Sequence, residues 1–371
     1  MKDKHSTIVI GGGLAGLVSA YLLAKNGHKV LLIEKKKYPF HRVCGEYLSN
    51  EVLDFLKREN LLPLTYDLPQ VTNFLFSDTS GKSVSTPLEL GGFGISRYVL
   101  DDYLFQRVIE KGGEVRTGVQ VESVFFDEKE NQFRLELTGG ELLTADFVIG
   151  AFGKRSRLDK SLNRSFIEKR SPYIGVKYHI ITDADRNTVA LHNFEGGYCG
   201  LNAIEEGKAN LCYLGNRDQL RKYGSIETME QEILWKNPNL KRLFEESKFL
   251  FEKPEVINEI NFERKDSVEN HILMAGDSAG LITPLCGNGM AMAIQSGKLA
   301  AEAIINGTTR NEVEFIYLKN WKSLFERRLW LGRNIQQLFG SKRASVLARR
   351  LIQYVPFAAG QLIRNTHGKP F

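Results

Sequence analysis

Three glycines near the start of the chain, Gly11, Gly13 and Gly16, stand at the spacing G-x-G-x-x-G, and Glu34 follows 23 positions after the first of them. The chemistry open to such a set is the binding of a dinucleotide. The first glycine permits a tight turn, the second lets the backbone approach a pyrophosphate, and the third lets a helix lie close to a strand. Free N–H groups and the positive end of the helix dipole then favour phosphate, with Ala15 in the first helical turn. Glu34 can accept hydrogen bonds from ribose hydroxyls, and its charge disfavours a 2′-phosphate. Glycine triplets are common, but here the flanking elements agree. TIVI reads as a strand, an Ala/Leu-rich helix runs to about Asn26-Gly27, and KVLLIE is nearly continuous apolar sequence, as in a strand covered on both faces. The segment predicts a parallel strand–helix–strand unit without saying which dinucleotide it holds.

A second set of residues decides that. In GDSAGLITPLCGNGMAMAIQSG, residues 276–297, Asp277 follows the apolar strand HILMA and so falls at a strand's carboxyl end, where ligands of open α/β sheets bind. A carboxylate there can hold the ribityl hydroxyls of an FAD laid across the sheet. Gly287, Gly289 and the helix start at Met290 can bring backbone N–H groups to the pyrimidine side of a flavin, where negative charge develops on reduction.

With both motifs in order, the chain resembles the p-hydroxybenzoate-hydroxylase-like flavoproteins, and within them the geranylgeranyl-reductase-related branch, over most of residues 5–305. The resemblance implies that Asp277 contacts the ribityl chain and that Pro284 and Gly287 to Met290 lie along the isoalloxazine. ISRYVLDDYL, residues 95–104, is similar to the segment whose arginine reaches the cofactor, which makes Arg97 an FAD contact. HRVCGEYLS, residues 41–49, resembles the branch's C-G-G-G-L-S loop and contributes Arg42, Cys44 and Gly45. Val121 matches a position whose backbone faces adenine. Two departures stand out. Where the hydroxylases carry G-A-D-G, this chain has Gly150-Ala151-Phe152-Gly153, which puts hydroxylase-style use of a transient NAD(P)H in doubt. The aromatic-rich strand expected beside the flavin reads Phe194 to Leu201 and lacks the halogenase pattern G-W-x-W-x-I-P, which disfavours chlorination. Substrate-side candidates for catalysis are few: Cys44 and Cys286 near the isoalloxazine, and Tyr198, with His179, from the middle of the chain.

The elements that must position these residues make an α/β protein. It comprises an FAD-binding Rossmann-type, glutathione-reductase-like domain (1–70 with 95–164 and 263–308), an inserted β-rich substrate domain (71–94 with 165–262), and a basic helical C-terminal region (309–371). Strand patterns include YIGVKYHII, YCGLNAI and KANLCYLG, with a helical insert around Ser225 to Leu250; Gly91-Gly92-Phe93-Gly94 reads as a loop. Apolar content of 42% and charged content of 25% exclude disordered and fibrous classes. Four scattered cysteines and the histidines form no metal-ligand spacing, and nothing suggests nucleic-acid binding. No apolar run reaches the roughly 20 residues of a membrane span and no signal peptide is visible, so the expected location is the cytoplasm, with membrane association open.

Charge is uneven. Nine of the 50 basic residues and none of the 44 acidic ones lie beyond Glu326. Apolar clusters alternate with arginines there, as suits an anionic membrane surface, an acidic carrier protein, or a helical cap that shows its charge to solvent. The expected function is FAD-dependent oxidoreduction of a hydrophobic, lipid-, isoprenoid- or polyketide-like substrate. It would proceed by hydride transfer to or from flavin N5 or by monooxygenation through a flavin hydroperoxide, with NAD(P)H visiting transiently. The alternative is a flavoprotein that passes electrons to a membrane quinone or a protein partner.

Overall fold

A computed structural model describes residues 4–169, 171–258, 260–281, 287–336 and 340–371. Two sheets organise the chain. The first runs in the order Val268–Glu269, Ile272–Met274, Leu142–Gly150, Lys4–Ile10, Val30–Glu34, Glu114–Thr117. Its inner pairings are parallel, with Ile8 opposite both Leu31 and Val148, and Leu273 opposite Ile149. These strands are apolar throughout, and Ile8, Val9, Leu31, Leu32 and Ile149 are buried, as in a sheet covered on both faces. A hairpin of Val121–Asp127 and Gln132–Leu137 pairs antiparallel onto Leu142–Gly150. Helices Leu14–Lys25, Arg97–Glu110 and Gly289–Asn306 complete this layer. The first of these is buried along all but its last residue, which is why its sequence shows no amphipathic stripe.

The second sheet runs Lys248–Phe249, Tyr173–Ile181, Ala209–Asn216, Gly197–Ala203, Thr188–Phe194, Gln70–Ser77, Ser83–Gly94, Tyr47–Ser49, with Glu255–Asn258 also on Tyr173–Ile181. It is mostly antiparallel; Thr188–Phe194 and Gln70–Ser77 are parallel neighbours. Alternation splits its side chains between two faces. Ile174, Val176, Tyr178, Leu211 and Tyr213 pack under the short helices of residues 217–246, with Met229, Ile233 and Leu240. The opposite face turns Lys177, His179, Asn202 and Asn210 toward the loop 41–46.

Several local expectations change. Gly91–Gly94 is strand rather than loop: Gly92 and Gly94 pair with Ser49 and Tyr47, and a side chain at either would strike Tyr47 or the Ala203 carbonyl. Phe194 to Leu201 is two strands with a turn at Glu195-Gly196, not one strand. The helical insert begins at Arg217, earlier than Ser225. Thr188–Phe194, too short and too mixed to stand out in the sequence, is a fully integrated strand. Tyr47–Ser49 pairs with the second sheet although it lies before residue 70. The C-terminus forms helices Arg310–Gln336, Lys342–Tyr354 and Pro356–Thr366.

Candidate active site

The two glycine motifs, more than 250 residues apart, meet at one residue. Gly297 lies so close to the first helix that a Cβ there would sit 2.2 Å from the Ala15 carbonyl oxygen; Gly276, at φ +61°, would put one 3.1 Å from the Ala15 Cβ. The strand end that presents Asp277 is therefore docked over the N-terminus of the first helix.

On the first helix's side, Gly11 adopts φ +104° with Ala151 pressed against it, so the turn reverses where a side chain would collide. Glu34, buried at the second strand's end, accepts from Gly12 N (2.9 Å) and Lys36 N (3.0 Å). Arg42 donates to Glu34 (3.0 Å), to the Gly12 carbonyl (3.0 Å) and to Asp101 (2.9 Å). Arg97 makes a two-pronged contact with the same Asp101 at 2.7 and 2.8 Å. Burial opposes the Arg97 charge, but Asp101 and then the Cys44 sulfur outweigh it and raise its pKa. One buried carboxylate thus fixes two guanidiniums above the turn. A Cβ at Gly13 would meet only the Arg97 guanidinium, at 3.6 Å. An open glycine turn faced by a fixed cation at a helix N-terminus fits the pyrophosphate of FAD. Val121 opens its strand at a bulge, and the neighbouring Val119 N donates to the Glu34 carbonyl, keeping that backbone beside the ribose-binding acid.

On the other side, Asp277 is half-buried and its carboxylate takes no hydrogen bond among the described residues. Its backbone carbonyl accepts from Lys265 Nζ (2.8 Å), which also donates to the Lys154 carbonyl (2.9 Å). Burial depresses the Lys265 pKa to about 8, and its ammonium lies 4.3 Å over the Phe166 ring. The turn that carries Asp277 is thus braced from below. Gly287 (φ +63°) rests on Tyr47, Asn288 Oδ1 accepts from Ser49 Oγ (3.2 Å), and Gly289 and buried Met290 begin the helix. Pro284 and Cys286 lie outside the described residues. Phe152, in place of the hydroxylase acid, packs against the core of the first sheet.

Between the two sheets, sequence reasoning missed the most heavily built feature. Glu46 sits at φ +53° and is 0% exposed. It binds Lys177 Nζ (2.5 Å), also fully buried, His179 Nε2 (2.7 Å) and Arg97 N (2.7 Å). Burial alone would raise the Glu46 carboxyl, but the Lys177 charge and the His179 hydrogen bond hold it down at about 2. Lys177 also donates to the Arg42 carbonyl, Asn202 to the Glu46 carbonyl, and Asn210 to the carbonyls of Cys44 and Gly45. His41 stacks on Tyr98 and Phe251 and meets the His179 ring edge-on; burial, then Lys177 and His179, lower its pKa to about 4. The signals were a lysine inside the apolar strand YIGVKYHII and a glutamate inside HRVCGEYLS.

Cys44 is half-buried on this loop, beside Arg97. Tyr198 is on the same sheet face as Asn202 but inside an apolar cluster with Phe76, Leu191, Leu214, Ile260 and Leu281, roofed by Ala348 and Ile352. Its hydroxyl reaches Gln336 Oε1 at 3.5 Å. This sheet face therefore joins a charged end at Glu46 to a buried apolar cluster at Tyr198.

A glycine turn at a helix N-terminus, a carboxylate at a strand's carboxyl end and a glycine-led helix start along one parallel sheet fit an FAD-dependent oxidoreductase. The chain belongs to the FAD binding domain family, whose match spans residues 4–310. It is similar to the digeranylgeranylglycerophospholipid reductase of Methanosarcina acetivorans, 29% identical over 87% of this chain and 81% of that one. It is also similar to conditioned medium factor receptor 1 of Dictyostelium discoideum, 23% identical over 86% and 67%. Among solved structures, the flavin-dependent brominase Bmp2 superposes with a TM-score of 0.77 at 17% identity over 98% of this chain and 94% of that one. PqsL, described as a probable FAD-dependent monooxygenase from Pseudomonas aeruginosa, gives 0.72 at 15% over 93% and 99%. At these identities the structural likeness concerns the fold. Among the described residues no helix is long and apolar enough to cross a membrane.

Proposed function

We propose that the chain carries out FAD-dependent oxidation–reduction of an apolar, isoprenoid- or polyketide-like substrate by hydride transfer. The observation that carries this reading is the cluster of buried apolar side chains Phe76, Leu191, Tyr198, Leu214, Ile260 and Leu281, on the same sheet face as the Glu46 cluster. Likeness to a reductase of geranylgeranylated lipids supports the same substrate class.

FAD, when bound, supplies the two-electron step. Gly11, Gly13, Ala15, Gly16, Glu34, Arg42 and Arg97 hold its ADP half, and Asp277 with Gly287 to Met290 its flavin half. Glu46 is ionised near neutrality, so it orients and does not donate; it fixes Lys177 and His179. Burial pushes the Cys212 thiol up to about 12, so that cysteine stays protonated and inert. Any NAD(P)H would have to visit the flavin transiently, or the electrons would arrive from another donor.

The test is anaerobic. NADH or NADPH should bleach the yellow protein, and an unsaturated isoprenoid lipid should restore its absorbance with a saturated product. Recovery only on admitting oxygen, with an oxygen atom from the gas in the product, would assign monooxygenation. Recovery with a quinone and with no lipid would assign electron transfer.

A further inference from the structure

Helix Lys342–Tyr354 has two different sides. Ser345 is buried and accepts from Thr79 N, Arg349 is fixed on Asp78 Oδ2 (2.8 Å), and Ala348 and Ile352 pack on the apolar cluster of Tyr198. The outward side carries Arg343, Leu347, Arg350, Leu351 and Tyr354, at spacings of four, three, one and three residues, which is one helical stripe. Leu347 is 70% and Tyr354 72% exposed, and Phe357, just past the Pro356 break, is 76% exposed. Val355 is exposed as well, and Lys342 adds a further cation at the helix start.

Exposed leucine, tyrosine and phenylalanine interleaved with arginine leave few occupants. A second copy of this surface would set cation against cation, because the chain has no acidic residue after Glu326. The exposed side is instead complementary to a surface that is negative outside and apolar beneath. We propose that this stripe seats the protein on an anionic lipid bilayer, with Leu347, Leu351, Tyr354 and Phe357 entering the headgroup boundary and Arg343 and Arg350 pairing with lipid phosphates. The same helix packs Ala348 and Ile352 on the apolar cluster of Tyr198, so docking holds that cluster one helix away from the membrane. The inference extends the proposed substrate class, but its test involves no redox chemistry.

Full-length, FAD-loaded protein is sedimented with phosphatidylcholine vesicles and with the same vesicles containing phosphatidylglycerol. It should pellet with the anionic vesicles and be released as salt shortens the screening length from about 10 Å near 0.1 M to about 3 Å near 1 M. Arg343→Gln with Arg350→Gln should weaken partitioning about thirtyfold, at about 1 kcal/mol per cation near such a surface. Leu347→Ser with Tyr354→Ser and Phe357→Ser should abolish it, while circular dichroism and flavin absorbance stay unchanged. Failure to pellet with anionic vesicles, or pelleting indifferent to both sets of substitutions, overturns the proposal. So does a stable complex with an acidic acyl-carrier protein formed by a chain that ignores vesicles. None of these outcomes bears on whether the flavin is reduced and reoxidised by a lipid in detergent, so the two readings fail separately.

Discussion

The second sheet buries a carboxylate on each face, and the two are held in opposite ways. On the face toward the glycine turn, Glu46 lies between Lys177 and His179 and its pKa falls to about 2. On the far face, Glu230 accepts from Tyr213 (2.8 Å) and Tyr178 (3.0 Å) beneath the helices of the insert. There burial dominates and lifts it to about 7, although both hydroxyls pull downward. Burial is common to both; what differs is whether a full positive charge or only neutral dipoles answer it. The charged arrangement faces the candidate active site. The neutral one belongs to the core that holds the sheet flat against its helices.

The largest expected effect is at Glu46. Glu46→Ala would leave the fully buried Lys177 ammonium unpaired, at a cost of about 3–5 kcal/mol in chemical denaturation. Adding Lys177→Met should recover part of that loss. A change within about 0.5 kcal/mol, typical of a surface substitution, would mean that the buried pair is not formed. If the face toward the glycine turn is the catalytic one, Glu46→Gln should alter the flavin absorbance spectrum and Glu230→Gln should not.

Next is pH. A carboxyl whose folded pKa is raised stabilises most when protonated, so the Glu230 contribution is complete below its ordinary value of 4.5 and is lost as pH rises through about 7. The loss is at most about 3 kcal/mol. Glu230→Gln should flatten the decline of Tm over that window. Glu46 has the reverse sign: its contribution is present above 4.5 and fades as pH falls toward 2. A Tm that falls between pH 4.5 and 7 equally in wild type and Glu230→Gln would trace the decline to other groups.

The smallest expected effect is at Tyr213. Tyr213→Phe removes one of the two hydroxyls that favour ionised Glu230, at a cost of about 1 kcal/mol. It should also move the Glu230-dependent step in the pH profile of Tm upward. Movement downward would mean that the hydroxyl holds the protonated form instead.

Much of this protein was legible in its residues. Gly11 to Glu34 specified a strand–helix–strand unit because turn geometry, helix packing and ribose recognition are local demands met within 24 residues. Asp277 and the helix after Gly289 followed from the same kind of local rule, a buried strand ending in a ligand-facing turn. Tyr198 was visible as a residue with transferable chemistry, but its strand's alternation could not say which face it shares with the Glu46 cluster. Glu46, Lys177 and His179 are separated by up to 133 positions, and in the sequence each reads as an isolated oddity. Their meeting depends on strand register, which sends every second side chain to the same face. Asp101 likewise looked like one acid in an ordinary helix until Arg42 and Arg97 closed on it from two directions. The sequence by itself determined the glycine turn with its strand–helix–strand unit and the order of the two motifs. Only the tertiary structure decided that they interlock at Ala15, that a buried ion cluster stands between the sheets, and that the basic C-terminal helix has one side on the apolar cluster and one side exposed. Those are facts about which distant surfaces share a buried boundary, and local sequence carries no record of that.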